Sequence, residues 1–412
     1  MSTDQPPVSY SEQRNSLRTF AGIGILVLVL LSGFWVYRQS RWPELPREYE
    51  ILDLSNGEGM RIAEPRDLSE RGDIVGSGWI QSGTGEARAG LAYVGDNAYL
   101  AVPGIWYPTH IDEDRLIDGY TGATPYVAIR AKIVGEKVLR ATGEWLDLPG
   151  SKLFFAGNGH GDSVLRASEE FYLVDANGHY QEMLLPETDS SKNGSNRLIY
   201  FSDINEKQIV VGGEFGPDTR SNEGLIWSVT GGLRVPEIYD ASRQCNLMSI
   251  NDSNVCVGLF KADHGEGIFF WNESEKLIDE YLDHYLNLRP IKINNRNQVV
   301  GLFCESNLGR EGVPIQMLRL NLLERLWRKF LSLFPSTSVS RFYPESTPEF
   351  VANAFLYENG ILYDLNAAIP WGSEWDRLLY AIDINDRGQI IGVGLIDGHE
   401  RGFLMTPVEG GL

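Results

Sequence analysis

The sequence predicts an all-β fold, a β-propeller with seven blades favoured and six as the alternative count, behind one N-terminal transmembrane helix. Three observations carry this. A ten-residue Asn-centred block recurs along the chain, an aromatic strand follows each clear copy, and an uncharged apolar stretch lies near the N-terminus.

Residues 1–18 form a short tail. From Thr19 to Tyr37 the chain reads TFAGIGILVLVLLSGFWVY without a charge, which as a helix rising ~1.5 Å per residue spans about 28 Å, the thickness of a bilayer core. Arg18 and Arg38 close its ends, and Phe34, Trp35 and Tyr37 supply an interfacial aromatic belt. A cleaved signal peptide would instead carry an apolar region of ~7–15 residues and a small-x-small site. Bulky residues follow Ser32-Gly33, so an uncleaved anchor is expected. Arg14 and Arg18 precede the span while Arg38, Arg41 and Arg47 follow it, a nearly balanced count. A short inner tail and a large outer domain is the usual outcome, which places residues 38–412 in the periplasm or at the cell surface. Residues 38–49 read as a linker and residues 50–408 as the propeller.

Composition narrows the class of partner. Lys+Arg 36 against Asp+Glu 56 gives a formal charge of −20, which argues against a nucleic-acid binder. Hydrophobic residues at 42% and charged residues at 22% exclude a wholly disordered chain, and Gly 44 with Pro 19 points to many turns. With Cys 3, neither a disulfide-stapled mini-fold nor a four-cysteine zinc site can be built. Cys245, Cys256 and Cys304 are expected to be buried free thiols, one bridged pair being the alternative.

The repeated block reads DINEKQIVVG (203–212), SINDSNVCVG (249–258), KINNRNQVVG (292–301) and DINDRGQIIG (383–392), with a degenerate DLSERGDIVG (67–76). In each, Asn205, Asn251, Asn294, Asn385 or Ser69 lies seven residues before a closing glycine: Gly212, Gly258, Gly301, Gly392 or Gly76. The block predicts a hairpin in which Asn or Ser opens the turn through its side chain and a β-branched pair begins the next strand. Gly72, Asn254, Asn297 and Gly388 fill the sixth position, where a left-handed backbone is tolerated, and Gln208 departs from this. A calcium loop is the rival, but its third ligand position holds Lys207, Ser253, Arg296 or Arg387, mostly cations.

Aromatic strands follow at 225–238, 268–282 and 354–365, with weaker relatives at 91–102 and 171–185. Each unit thus supplies four short strands, one blade, which cannot bury its faces without neighbours. Blocks at regular spacing place blades near 66, 122, 150, 199, 246, 290 and 380. The last copy ends after GFLMTP (402–407) without a fourth strand, and EILDLSNG (50–57) is similar to GILYDLNA (360–367). The strand near 50–54 is therefore expected to complete the final blade and close the ring. This Asn-turn and aromatic-strand pattern, clearest at 381–407, resembles the HAF repeat of predicted extracellular proteins. The resemblance implies an extracytoplasmic repeat module and supplies no catalytic residue.

Several candidates stand outside the repeat. A helical insertion is expected at about 319–349; its Arg319–Phe334 stretch sets Trp327 and other apolar residues at helical spacing beside Arg325 and Arg328. It reads as a surface helix packed over the ring, or as one docking lipid or a partner. GNGHGDS (157–163) offers His160 and Asp162, with Glu169 following, as an acid/base group; a polar loop is the competing reading. Trp106, Trp371 and Trp375 are candidates for stacking on sugar rings, against core roles. The six histidines show neither HxH nor HExxH spacing, and no phosphate or dinucleotide motif appears, so neither a metal site nor a cofactor is expected. The expected function is a non-catalytic binding or scaffold module, leaning away from an enzyme. A glycan-acting propeller enzyme and a structural cell-envelope protein are the alternatives. Expected partners are the bilayer, through residues 19–37, and a protein or glycan, with no nucleic acid.

Overall fold

The structure, a computed structural model, describes residues 42–408 except 56–58, 83–84, 96–97, 122–127, 136, 141–151, 169, 186–197, 216–222, 237–243, 263–264, 275, 283–285, 307–349 and 371. Among these residues no helix is long and apolar enough to cross a membrane. The Thr19–Tyr37 stretch and the insertion at 319–349 lie outside the described residues.

Seven four-stranded antiparallel sheets form the blades of a propeller. Blades 1 to 6 cover residues 60–102, 107–140, 152–182, 198–234, 244–282 and 286–364. Blade 7 takes three strands from 375–407 and its fourth from Tyr49–Asp53, which pairs with His399–Pro407, Leu52 opposite Leu404. The ring is closed by the two ends of the chain, as the likeness between 50–57 and 360–367 predicts. Blade 2 begins at Tyr107 rather than near 122, because its turn departs from the Asn pattern.

The first strands of successive blades neighbour one another and form the inner wall. Apolar residues fill the spaces between blades: Val75, Ala92 and Val94 of blade 1 pack on Ile111, Ile117 and Ile129 of blade 2, all buried. A blade is apolar on both faces for this reason, and each buried large side chain contributes ~1.5–3 kcal/mol.

The closing glycine has a steric cause. In six blades the inner strand carries a β-bulge just before the block, and the residue ahead of the bulge pairs with that glycine: Pro65 with Gly76, Pro108 with Gly119, Phe201 with Gly212, Leu247 with Gly258, Pro290 with Gly301 and Ala381 with Gly392. A Cβ on any of these glycines would overlap a carbonyl oxygen of the inner strand. Phe269, Phe355 and Phe403 of the third strands then lie over Gly258, Gly301 and Gly392. Blade 3 has the bulge but pairs Phe154 with Leu165, so there a side chain is accommodated.

Gly301→Ala is expected to destabilise the ring by about 1–3 kcal/mol, the cost of forcing an atom into a filled site. A chemical-denaturation midpoint unchanged from the parent would show that the bulge, not the glycine, sets the pairing.

Candidate functional site

Every inner strand ends in the same kind of turn. The residues at its head are Ser69, Asp112, Asn158, Asn205, Asn251, Asn294 and Asn385, and in the clear copies the side-chain oxygen accepts two backbone N–H groups. Asn251 Oδ1 takes those of Ser253 at 3.1 Å and Val255 at 3.0 Å. Three positions later the backbone is left-handed in all seven blades, including Arg115 (φ 62°) and Gln208 (φ 57°). These two bear a cost of ~1–2 kcal/mol that glycine avoids.

Each Asn amide nitrogen crosses to the next blade. Asn158, Asn205, Asn251 and Asn294 donate to the main-chain oxygens of Asn205, Asn251, Asn294 and Asn385 at 2.9–3.1 Å, and Asn385 donates to that of Ser69 at 3.1 Å. The second N–H of each amide explains a covariation inside the repeat. Asn205 and Asn251 give it to Asn254 Oδ1 and Asn297 Oδ1 of the following blade. Where the following blade offers only Gly388 or Gly72, Asn294 and Asn385 turn to Gln298 and Gln389 of their own blade.

The residue after the turn head makes an outer girdle that closes completely. The N–H groups of Glu70, Gly159, Glu206, Asp252, Asn295 and Asp386 donate to the side chains of Glu113, Glu206, Asp252, Asn295, Asp386 and Glu70 at 2.7–2.9 Å. Glu113 bridges the remaining gap through the carbonyl of Gly159 at 3.1 Å. The acidic annulus at this mouth of the channel is therefore a set of blade-to-blade acceptors; burial and the neighbouring carboxylates Asp386 and Glu113 lift Glu70 to about 6.

Two residues before the turn head, the bulge aims a polar side chain at the channel. The set is Asp67, His110, Asp203, Ser249, Lys292 and Asp383, with Ala156 in blade 3. Lys292 of blade 6 reaches over blade 5 to Asp203 of blade 4, Nζ to Oδ1 2.8 Å, which a side chain can do only through the centre of the ring. Ser249 donates to Asp203 Oδ2 at 2.5 Å. His110 donates from Nδ1 to Asp67 Oδ2 at 2.8 Å and from Nε2 to the carbonyl of Asn158 at 2.8 Å. Both partners are acceptors, so both ring nitrogens carry hydrogen and the side chain is an imidazolium. His110 thereby supplies the link to blade 3 that Asp112, lacking an amide, cannot make.

The titration of this cluster follows from its charges. Burial disfavours the His110 cation, but the adjoining Asp67 carboxylate raises it to about 9. Burial would raise Asp67, yet His110 holds it below the ordinary carboxylate range. Asp383 is pushed up to about 8 by burial and by Asp67, against the pull of Lys292. Lys292 is held above its ordinary value by Asp203, Asp383 and Asp67 despite burial. At neutral pH the cations His110 and Lys292 thus face the Asp67 carboxylate, while burial and Asp67 favour the protonated form of Asp383. These groups are also occupied by backbone: Asp67 takes the N–H of Ile111, Asp203 those of Ile204 and Ile250, and Asp383 those of Leu68 and Ile384. His110 keeps no lone pair with which to act as a base. Lys292, with 29% of its side chain exposed, is the most accessible charge of the cluster.

The sequence-predicted candidates are scattered. His160 sits in the turn of blade 3 with 70% of its side chain exposed and pairs with Glu206 at 2.5 Å. Asp162 is buried and accepts from Asn158 Nδ2 and Gln208 Nε2, closing the same turn. Glu169, Trp371, Trp327, Arg325 and Arg328 lie outside the described residues. Trp375 is buried edge-on against Phe403 and is a core residue of blade 7, so it offers no stacking face, whereas Trp106 is 46% exposed. Cys245, Cys256 and Cys304 are free thiols, the first two buried. No group of three or more potential metal ligands forms among the described residues. The sequence reading missed Asp112 and Asn158 as turn heads, although HIDEDRLIDG (110–119) keeps the seven-residue offset to Gly119. A signal for the channel cluster was also present, a polar residue opening each block where a strand end is otherwise apolar.

No family model matches this chain, and no curated protein does. Among solved structures it is similar in fold to a catalytically inactive virginiamycin B lyase from Staphylococcus aureus with quinupristin, at 11% identity and TM-score 0.45 over 88% of this chain and 100% of that one. The Dos1 propeller matches at 10% identity and TM-score 0.43 over 87% and 94%. A Mycobacterium tuberculosis puromycin-hydrolyzing peptidase matches at 8% and 0.43 over 85% and 53%. At these levels the likenesses carry no argument about activity.

Two outcomes test the girdles. Asn251→Asp keeps the turn acceptor but removes the donor to blade 6, and is expected to cost about 1–3 kcal/mol, the price of a buried carbonyl left unpaired. His110 gains affinity for its proton on folding, from an unfolded value near 6.5 to about 9. Its contribution is fully present below pH 6.5 and disappears as pH rises toward 9. Asp383, raised to about 8, acts in the same direction. The melting temperature should fall between pH 6.5 and 9, and His110→Gln should flatten that slope; an unchanged slope would remove His110 from the account.

Proposed function

We propose that this protein is a membrane-tethered, extracytoplasmic propeller that binds a partner without transforming it. One observation carries the reading: the ionisable groups at the channel are engaged in holding blade to blade, and His160, the candidate acid/base histidine, stands in solvent with a single carboxylate. What supports the tether is the uncharged Thr19–Tyr37 stretch with its flanking arginines and aromatic belt. The HAF-like repeat supports an extracytoplasmic module. Loops on the faces, rather than the channel, then carry recognition.

Protease added outside sealed cells or spheroplasts should digest the ring and leave a short protected fragment containing residues 19–37. Cross-linking in intact membranes should capture a stoichiometric protein that is lost when residues 319–334 are deleted. A fully protected ring would overturn the orientation, and loss of no partner on deletion would move docking away from that segment.

A further inference from the structure

Blades 1 and 2 build a second polar and aromatic site on the face opposite the Asn turns. Cross-strand register places Arg61, Trp79 and Arg88 side by side on the face of blade 1 that meets blade 2, with Glu64 opposite Ser77 beside them. The Arg88 guanidinium stands 5.0 Å over the ring of Tyr107 in blade 2 and donates to Glu64 Oε1 at 3.2 Å and Oε2 at 3.3 Å. Tyr107 is preceded by Trp106, whose backbone is fixed from two sides: its N–H donates to Tyr120 O at 2.9 Å and its carbonyl accepts from Ser77 Oγ at 3.2 Å. Gly90 of blade 1 donates to Ile105 O at 3.1 Å, which holds the loop against the cleft.

Two features select the ligand. Trp79 at 37% and Trp106 at 46% are the exposed tryptophans among the described residues, while Trp227, Trp271 and Trp375 are buried. Charged groups border both positions, since Arg88 pairs beside Trp79 and stands over Tyr107, the residue after Trp106, whereas the centre of a protein-docking patch is depleted of charge. Flat apolar rings alternating with hydrogen-bonding groups fit a sugar, which has C–H faces and hydroxyl edges. The cleft also presents cations in a chain of net −20: Arg61 pairs with Glu86 and Arg88 with Glu64. Among the described residues, Arg88 engages a carboxylate through one nitrogen only, Nη2. A guanidinium has five N–H donors, so a bidentate edge remains for a ligand carboxylate.

We propose that this cleft binds a uronate-bearing oligosaccharide, stacked on Trp106 and Trp79 with its carboxylate on Arg88. This deepens the reading of the ring as a binding module and rests on it.

The test uses the full chain in detergent, titrated with oligogalacturonate and with a neutral cello-oligosaccharide by calorimetry. Oligogalacturonate should bind at least tenfold more tightly than the neutral sugar. Trp106→Ala and Trp79→Ala should each weaken binding tenfold or more, Trp106→Phe should restore most of it, and Arg88→Gln should erase the preference for the acidic sugar. Equal thermal melts would establish that these exposed positions do not act through folding. Absence of sugar binding, or binding indifferent to both Ala variants, would overturn the site while leaving partner capture by the ring intact. Equal affinity for the two sugars would overturn the uronate assignment. New reducing ends in the mixture would overturn the non-catalytic reading and leave the site standing.

Discussion

The ring depends on one side-chain amide used four ways. In blades 3 to 7 an Asn at the end of the inner strand accepts two N–H groups of its own turn and donates two, one of them to the main chain of the next blade. The first pair sets the hairpin, and the donor to the next blade sets the spacing between blades, so local conformation and ring assembly rest on the same residue. Because the amide is buried, each of these groups would be costly to leave unpaired. That accounts for the correlated choice of Asn, Gly and Gln in the following positions, which keeps the second N–H satisfied whichever neighbour is present.

Where the amide is missing, other chemistry takes its place. Asp112 holds its own turn, with its Oδ1 accepting the N–H of Leu116 at 2.7 Å, but has nothing to donate onward. Blades 2 and 3 are instead joined by the His110 imidazolium and by a buried pair in which Arg130 grips both oxygens of Asp118 at 2.7 and 2.8 Å and reaches the carbonyls of Gly161 and Ala176. Ser69 likewise lacks an amide, and Arg115 spans blades 1 and 2 by binding both oxygens of Asp73 at 2.7 and 3.0 Å. The irregular blades thus replace neutral amide links by charged ones. This concentrates ionic links in the part of the ring where the repeat is hardest to read.

The same economy separates structure from recognition. Among the described residues, the polar groups at the channel and around the Asn-turn mouth are engaged between blades. On the opposite face, Trp79, Trp106 and Arg88 are partly exposed and take no part in the Asn-turn links between blades. A propeller assembled this way can vary one face without disturbing the links that close it.

The sequence by itself determined the repeating unit, the turn heads at Ser69, Asn205, Asn251, Asn294 and Asn385, the closing glycines, and the return of the strand near residue 50 to the last blade. These are legible because the turn and the bulge are local: their atoms belong to residues within about ten positions, and the demands fall on residue type. Only the tertiary structure decided the blade count, the turns headed by Asp112 and Asn158, and the meeting of Asp67, His110, Asp203, Lys292 and Asp383 at the channel. It also decided the stacking of Arg88 over Tyr107. The contacts among those side chains join different blades, 19 positions apart for Arg88 and Tyr107 and 89 for Asp203 and Lys292, so that only ring closure brings the partners together.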